Sequence, residues 1–424
     1  MTYKAIVCKL TNVRKHPGAD RLNLASILGN QIVVGLDSKD GDVGVYFGVD
    51  GQLSSDFATE NDLVRRKNPD GTNAGGMFDE NRRVRAQKFR GEKSEGFFAP
   101  LSYFGYTGYN LSKLKIGDEF DSLNDKPICN KYVTPATLRT QKGSGKKTRS
   151  NTKWFHKHFE TEQFRHYVDK IPAGALIIIS EKEHGTSHRI GHVPDELPLP
   201  LWKRFLQRIG IVKFAQSIKW VYLHGSRNVV LDGGLNDPYY SSQFRARAVR
   251  KLEGNLRKGE SVYLEIVGWT NDSTTIMPRH DVTKLKDKEL LKRYGKEMVY
   301  TYGNIAGECS PAVYRISMVN EDGYEAELSW SQVQARCSEL GIPCVMQVCQ
   351  PFIYDGDSGK LRALCESLCG GVSTWDDRHI REGICIRVEH PQMFTILKLK
   401  NFEFLAMETV QKDSDDVVDI EEAS

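Results

Sequence analysis

At 424 residues, with 39% hydrophobic residues and a formal net charge of +4, the chain exceeds the usual length of one domain and can bury a sizeable core. So small a positive excess excludes a uniformly basic coat, and any surface for a polyanion has to be local. No apolar run of about 18 residues occurs, and the opening Met1-Thr2-Tyr3-Lys4 does not read as a secretory leader, so a cytoplasmic protein without a membrane partner is expected. Its nine cysteines lack a disulfide framework. Cys344, Cys349, Cys365 and Cys369 contain no Cys-x-x-Cys knuckle and read as structural thiols rather than zinc ligands.

In chain order, residues 1–125 alternate short β-rich runs with turn signals: Ala5-Ile6-Val7, Gln31 to Val34, Val43 to Phe47, Arg83-Val84-Arg85 and Gly96-Phe97-Phe98. This pattern predicts a small β-barrel, with the polar stretch Ser54 to Asn81 as a long inserted loop. Residues 126–153 read as a basic linker. Its Arg139, Lys142, Lys146, Lys147, Arg149 and Lys153 surround Gly143-Ser144-Gly145, and it serves either as a solvated tether or as a phosphate-contacting arm.

Residues 154–410 mix expected strands (175–180, 261–268, 343–349, 383–388, 394–399) with helical patterns near 199–219, 240–257, 286–294 and 328–340. An α+β domain follows from this mixture. The segment 411–424 is acidic and is expected to be disordered.

The residues that carry chemistry begin where the apolar run Ala175 to Ile179 gives way to Ser180-Glu181-Lys182-Glu183-His184-Gly185-Thr186. A lysine between a buried strand and a glycine turn is positioned, and it becomes a nucleophile when its ammonium loses a proton. Lys-x-x-Gly alone is a weak signal; the ordered set downstream strengthens it. Arg227 follows the strand-like Trp220 to Leu223, and its guanidinium suits a ribose or phosphate. Glu265 sits in the apolar run Tyr263 to Gly268, where a carboxylate requires a partner such as a hydroxyl or metal-bound water. Glu382-Gly383 opens another buried strand and suits a divalent cation held through water. Lys398 and Lys400 are spaced to share one strand face, with an anion between them. His184, His188 and His192 recur every four positions, but Gly185 and Gly191 argue against a metal-binding helix.

Taken together, Lys182 to Gly185, Arg227, Glu265, Tyr314, Glu382-Gly383 and Lys398 with Lys400 resemble the covalent nucleotidyltransferase superfamily of polynucleotide ligases and capping enzymes. The resemblance spans about 220 residues, and Glu181 with the Lys-x-His-Gly form is similar to the RNA-ligase branch. A second resemblance lies in the N-terminal part. His16-Pro17-Gly18-Ala19-Asp20-Arg21-Leu22, Gly41-Asp42-Val43 and Arg83-Val84-Arg85 look like the OB-type barrel of the fifth RNA-ligase family, the Deinococcus and Naegleria type. DNA ligases and capping enzymes carry that barrel after the Lys-x-Lys strand, and only 24 residues follow Lys400. Two departures stand out: Ser187 occupies a position where the RNA-ligase pattern has Asn, and His184 one where other members have Asp.

The resemblance implies an OB-type barrel followed by a nucleotidyltransferase domain of antiparallel sheets with flanking helices. It also implies an ATP-dependent RNA ligase using Mg²⁺ or Mn²⁺, working through lysyl-AMP and an adenylylated RNA 5′ end, with no obligate protein partner. By the same resemblance Lys182 is the nucleophile, Glu181 meets the adenine edge, and Arg227 and Glu265 meet ribose. Gly185 belongs to the nucleotide-binding set, Tyr314 stacks on the base, Glu265 and Glu382 hold metal through water, and Lys398 and Lys400 contact phosphate and nucleotide. RNA, including nicked duplex, is the expected partner, met by Arg83, Arg85, Lys88 and Arg90 on the barrel and by the helical Arg245 and Arg247. The competing readings are a GTP-dependent capping-type guanylyltransferase and a non-catalytic RNA-binding protein with a decayed ligase domain.

Overall fold

The computed structural model describes residues 3–143, 153–196, 200, 202, 208–209, 217–227, 229–231 and 243–413. Most of the basic run 139–153, most of the helical pattern 199–219 and the segment 414–424 therefore lie outside the described residues. Two compact units emerge. The first is built on the N-terminal 138 residues, joined by Gln163–Lys170 and by the helix Phe402–Lys412. The second is built on Ile171–Leu399 and the segment ending at Glu162.

In the first unit, Phe97–Pro100, Val43–Phe47, Ala5–Lys9 and Glu119–Phe120 form a sheet in that order, and Thr11–Lys15, Leu22–Ile27 and Asn30–Gly35 form a second. Alternation places Ala5, Val7, Val45 and Phe47 inside, where they pack with Leu53, Phe57 and Phe104. Each large apolar side chain so buried contributes about 1.5–3 kcal/mol relative to exposure. The expected loop from Ser54 to Asn81 opens instead with the helix Ser55–Glu60, because the Ser54 side chain accepts a bond from the Phe57 N–H and caps it. Arg83 makes one bridge to Gln52 and the strand proper begins at Ala86, since Arg83 turns inward to the half-buried Asp50 and Asp413 rather than alternating outward.

Both expected boundaries of the linker and tail shift. Cys129–Lys131 pairs with Gly51–Leu53, which ties the segment after 125 into the first unit. At the other end, Asn401 caps the helix Phe402–Lys412, whose Phe402, Phe404 and Met407 are buried; its C-terminal carbonyl Thr409 accepts from Arg83 Nη1 at 2.9 Å. Arg165 Nη1 similarly fastens Gln163–Lys170 by donating to Asn30 Oδ1 at 2.6 Å and Glu95 Oε1 at 3.0 Å.

The second unit has two larger sheets. One runs Met393–Lys400, Gly383–His390, Leu176–Lys182 and Phe352–Ile353; the other runs Val230–Leu231, Ile218–Gly225, Thr186–Glu196, Glu260–Gly268, Cys309–Val319 and Glu325–Glu327. Ile178 of the first sheet shares a core with Ile190, Val262, Leu264, Val313 and Ile316 of the second, closed by Trp330 and Val333 from the helix Trp330–Leu340. The expected strand 343–349 makes only bridges, Cys344 to Val313 and Gln347 to Ser180, so it follows both sheets without joining either ladder. In the pattern 240–257 the α-helix is Phe244–Val249, with turns after it. His188 and His192 lie in the strand Thr186–Glu196, in agreement with the argument against a histidine helix. All nine cysteines are free, and no described helix is long and apolar enough to cross a membrane.

Candidate active site

Three residues, Glu183-His184-Gly185, carry the chain from the end of Leu176–Lys182 in one sheet to the start of Thr186–Glu196 in the other. The turn must be tight and bare on one side. A Cβ on Gly185 would lie 2.4 Å from the Ile266 carbonyl oxygen and 2.9 Å from Glu265 Cγ, so glycine lets the turn press against the neighbouring strand. The Tyr302 hydroxyl accepts from the His184 N–H at 2.5 Å and fixes the middle of the turn. Arg245 fixes its exit, donating from Nη2 to Thr186 Oγ1 at 2.8 Å and from Nη1 to the Ser187 carbonyl at 2.9 Å.

At the entry to the turn, Lys182 Nζ lies 2.8 Å from Glu382 Oε1; the lysine side chain is 19% exposed and the glutamate 1%. Sheet register explains the meeting, because Lys182 pairs directly with Gly383. His184 Nδ1 stands 3.7 Å from the other Glu382 oxygen. Lys182 and Lys398 both lie near enough to Cys385 to oppose a rise in its thiol, which burial nonetheless pushes up to about 12. Lys398 thus belongs to the neighbourhood of Lys182.

Glu181 is buried, and its Oε2 accepts both the Thr374 N–H and the Thr374 hydroxyl, each at 2.6 Å. Glu183 is buried as well. Burial, followed by the Glu181 carboxylate, pushes its own carboxyl well above the ordinary range, and Glu265 adds to this. Across the second sheet, Ser187 pairs in register with Glu265 and its hydroxyl donates to Glu265 Oε2 at 3.2 Å. Burial raises the Tyr314 hydroxyl to about 12, with Glu265 assisting and a hydrogen bond to Ser187, Arg227 and Arg315 opposing. That pattern gathers Ser187, Arg227, Glu265 and Tyr314 in one place. The Tyr314 ring is met edge-on by His158 at 5.1 Å.

At the turn, the buried Glu183 Oε1 and Glu181 Oε1 have no hydrogen-bond partner among the described residues. A divalent cation would come to Glu265 and Glu382 through water, since no described group of three or more His, Cys, Asp or Glu has metal-holding geometry by itself. Holding through water with a nucleotide supplying further oxygens is the arrangement the donor set fits.

Several sequence expectations need correction. Lys400 Nζ is 3.0 Å from Glu408 Oε2 of the last helix, so a carboxylate in the first unit meets this lysine. Arg83 is 2% exposed and paired with Asp50 and Asp413, so it holds the last helix rather than a surface ligand. Arg85 is engaged by Asp79 and Asp413. Arg245 is 1% exposed and braces the strand after the turn, because the helix presents it inward. Lys88, Arg90 and Arg247 are exposed, with Arg247 donating to the Thr270 carbonyl. Sequence reasoning missed Glu183, Arg245 as a brace, Tyr302 and Thr374. Glu183 lay inside a quoted motif without a role and Arg245 was read as a surface residue, while Tyr302 and Thr374 come from distant segments that gave no local signal.

An OB-fold domain family matches residues 4–101. No curated protein matches by sequence. Solved structures of Naegleria gruberi RNA ligase match over the length of both chains. A mutant in the apo form gives a TM-score of 0.60 at 15% identity, covering 96% of this chain and 98% of that one. A mutant with AMP and Mn gives 0.60 at 15% identity, covering 97% and 99%. The form with PPi gives 0.58 at 15% identity, covering 95% and 97%. The chain has the fold of an RNA ligase. The expected α+β class with an N-terminal OB barrel is therefore met.

Proposed function

We propose that this protein is an ATP-dependent RNA ligase that attaches AMP to Lys182 and joins RNA 3′-hydroxyl and 5′-phosphate ends, with a nick in duplex RNA as the expected substrate in repair. The carrying observation is the Lys182–Glu382 pair, in which a sequestered ammonium at a strand end is held 2.8 Å from a carboxylate beside the Glu183–Gly185 turn. That is a positioned amine, and positioning supplies much of the acceleration in phosphoryl and nucleotidyl transfer.

In the first step the Lys182 ammonium gives up a proton by way of the Glu382 carboxylate to solvent, the freed amine attacks the α-phosphorus of ATP, an N–P bond forms, and pyrophosphate leaves with the bridging electron pair. Glu382 orients Nζ, Lys398 stabilises negative charge on the phosphate, and Arg227 and Glu265 hold the ribose. A bound Mg²⁺ or Mn²⁺, held through water by Glu265 and Glu382, would neutralise phosphate charge. An RNA 5′-phosphate oxygen then takes the AMP and frees Lys182; finally a 3′-hydroxyl attacks that 5′ phosphorus and AMP departs. The Naegleria gruberi RNA ligase structures with AMP and Mn and with PPi share this fold, which supports the reading.

Glu181 offers a buried acceptor oxygen that suits the 6-amino group of adenine, and competition between ATP and GTP for lysyl-nucleotide formation separates this reading from a capping-type one. The Ser187 hydroxyl donates to Glu265 Oε2, which supports an intact site over a decayed one.

The test is joining of a 3′-hydroxyl strand to a labelled 5′-phosphate strand abutted on a complementary RNA, with ATP and Mg²⁺ or Mn²⁺. A joined strand that Lys182→Ala abolishes is expected, and a 3′-deoxy strand should leave adenylylated RNA. No joined or adenylylated RNA, on duplex or single strands, would overturn the assignment.

A further inference from the structure

We infer that Thr374 is a specificity-determining positioning residue, which sets nucleobase discrimination by locking the carboxylate of Glu181. The inference deepens the proposed function and rests on its assignment of Glu181 to the base edge.

The terminal torsion of a glutamate is soft, so a carboxylate held at a single point swings and presents no fixed acceptor. Glu181 is held at two. The Thr374 N–H and hydroxyl both donate to Oε2 at 2.6 Å, while Oε1 is buried with no hydrogen-bond partner among the described residues. One oxygen is thus consumed in fixing the plane of the group, and the other is a preorganised acceptor. Leaving such an acceptor unmet is costly, so a ligand that donates there is selected over one that does not.

Thr374 can act as a lock because its own segment is fixed. Val372 bridges to Ile380, the Ser373 N–H donates to the His379 carbonyl at 3.1 Å, and the Trp375 N–H donates to Ser373 Oγ at 3.1 Å. Asp376 anchors the segment from outside, accepting from the Gly303 N–H at 2.9 Å and from Thr301 Oγ1 at 3.2 Å. Burial would raise its carboxyl, but hydrogen bonds from Arg378 and the Gly303 N–H outweigh this and hold it below the usual range. Gly303 and Thr301 flank Tyr302, whose hydroxyl receives the His184 N–H, so one scaffold places both the Glu181 lock and the turn after Lys182.

The test measures kcat/KM for lysyl-nucleotide formation with ATP and with purine riboside triphosphate, which lacks the 6-amino group. Wild type, Thr374→Val, Thr374→Ser, Glu181→Gln and the Val/Gln double variant are compared. Thr374→Val should lower the preference for ATP roughly tenfold, the effect of one hydrogen bond to a charged group, and Thr374→Ser should restore it. The double variant should discriminate no less than Glu181→Gln alone. A merely structural threonine would slow both nucleotides equally and leave the ratio unchanged, which would overturn the inference. If Thr374→Val is unfolded by circular dichroism, Thr374→Ala carries the same expectation. Absence of labelled lysine in the wild type would instead overturn the underlying ligase reading.

Discussion

The charge of Lys182 is balanced by Glu382, a side chain 1% exposed, and water is poorly placed to replace either partner. Removing one member of such a pair costs about 3–5 kcal/mol because the other is left uncompensated. Glu382→Gln removes the charge that faces Lys182 while keeping the side chain's shape, and is predicted to slow lysyl-AMP formation by about 100-fold or more in a protein that still folds. A rate within about threefold of wild type, measured by single-turnover labelling, would remove Glu382 from the mechanism. His188, next along the chain from Ser187, gives a pH prediction. Its imidazole is held well below the ordinary value of 6.5, by burial first and then by Arg245 and His224. The unfolded chain thus binds a proton that the folded one refuses as pH drops through about 6.5. This contribution to stability is present above that pH and is lost below it, at about 1.4 kcal/mol per pH unit. His188→Gln should flatten the fall of Tm between pH 7 and pH 5 relative to wild type. An unchanged slope in thermal unfolding would show that His188 is charged in the folded state.

The turn Glu183–Gly185 joins two sheets, and its tightness makes it intolerant of a single methyl group. Gly185→Ala would bring Cβ to 2.4 Å from the Ile266 carbonyl, forcing the neighbouring strand or the turn to shift. Strain of this kind costs about 1–3 kcal/mol. The expected outcome is a lowered Tm together with a larger proportional loss of lysyl-AMP formation, because the shift displaces Lys182 and Ser187 at once. Equal activity at wild-type stability would show the close approach to be relaxed in solution. Much at this scale was legible. The apolar run before Lys182, the carboxylate in Tyr263–Gly268 and the Glu-Gly before a buried strand each announced an element through composition. What joined them was not legible, since the pairing of Lys182 with Gly383 spans some two hundred residues and leaves no local trace. The same distance hid Thr374 from Glu181. The side-chain direction of Arg245 was misjudged because a basic helical run looks solvated until the inward face is known.

The two compact units differ in how well the sequence revealed them. The barrel was foretold by short β runs and turn residues, yet the placement of Phe402–Lys412 in the first unit was not, since Arg83–Asp413 and Lys400–Glu408 are pairings of ordinary surface-looking charges. Reading Arg83 as an RNA contact failed for the same reason. If the first unit meets RNA, its exposed Lys88 and Arg90 carry that contact. Replacing both with alanine should reduce the slope of log binding constant against log salt by about 1–2 for duplex RNA, without changing Tm. Arg83→Ala should do the reverse, lowering Tm with little effect on the slope, and filter binding with thermal unfolding separates the two. For the molecule as a whole, the most direct measurement is incubation of the purified protein with α-labelled ATP and a divalent cation, followed by a denaturing gel, beside Lys182→Ala. The account predicts label that survives denaturation in the wild type and is absent from the variant. No label from ATP on protein free of pre-bound AMP, or label that persists in Lys182→Ala, would contradict it.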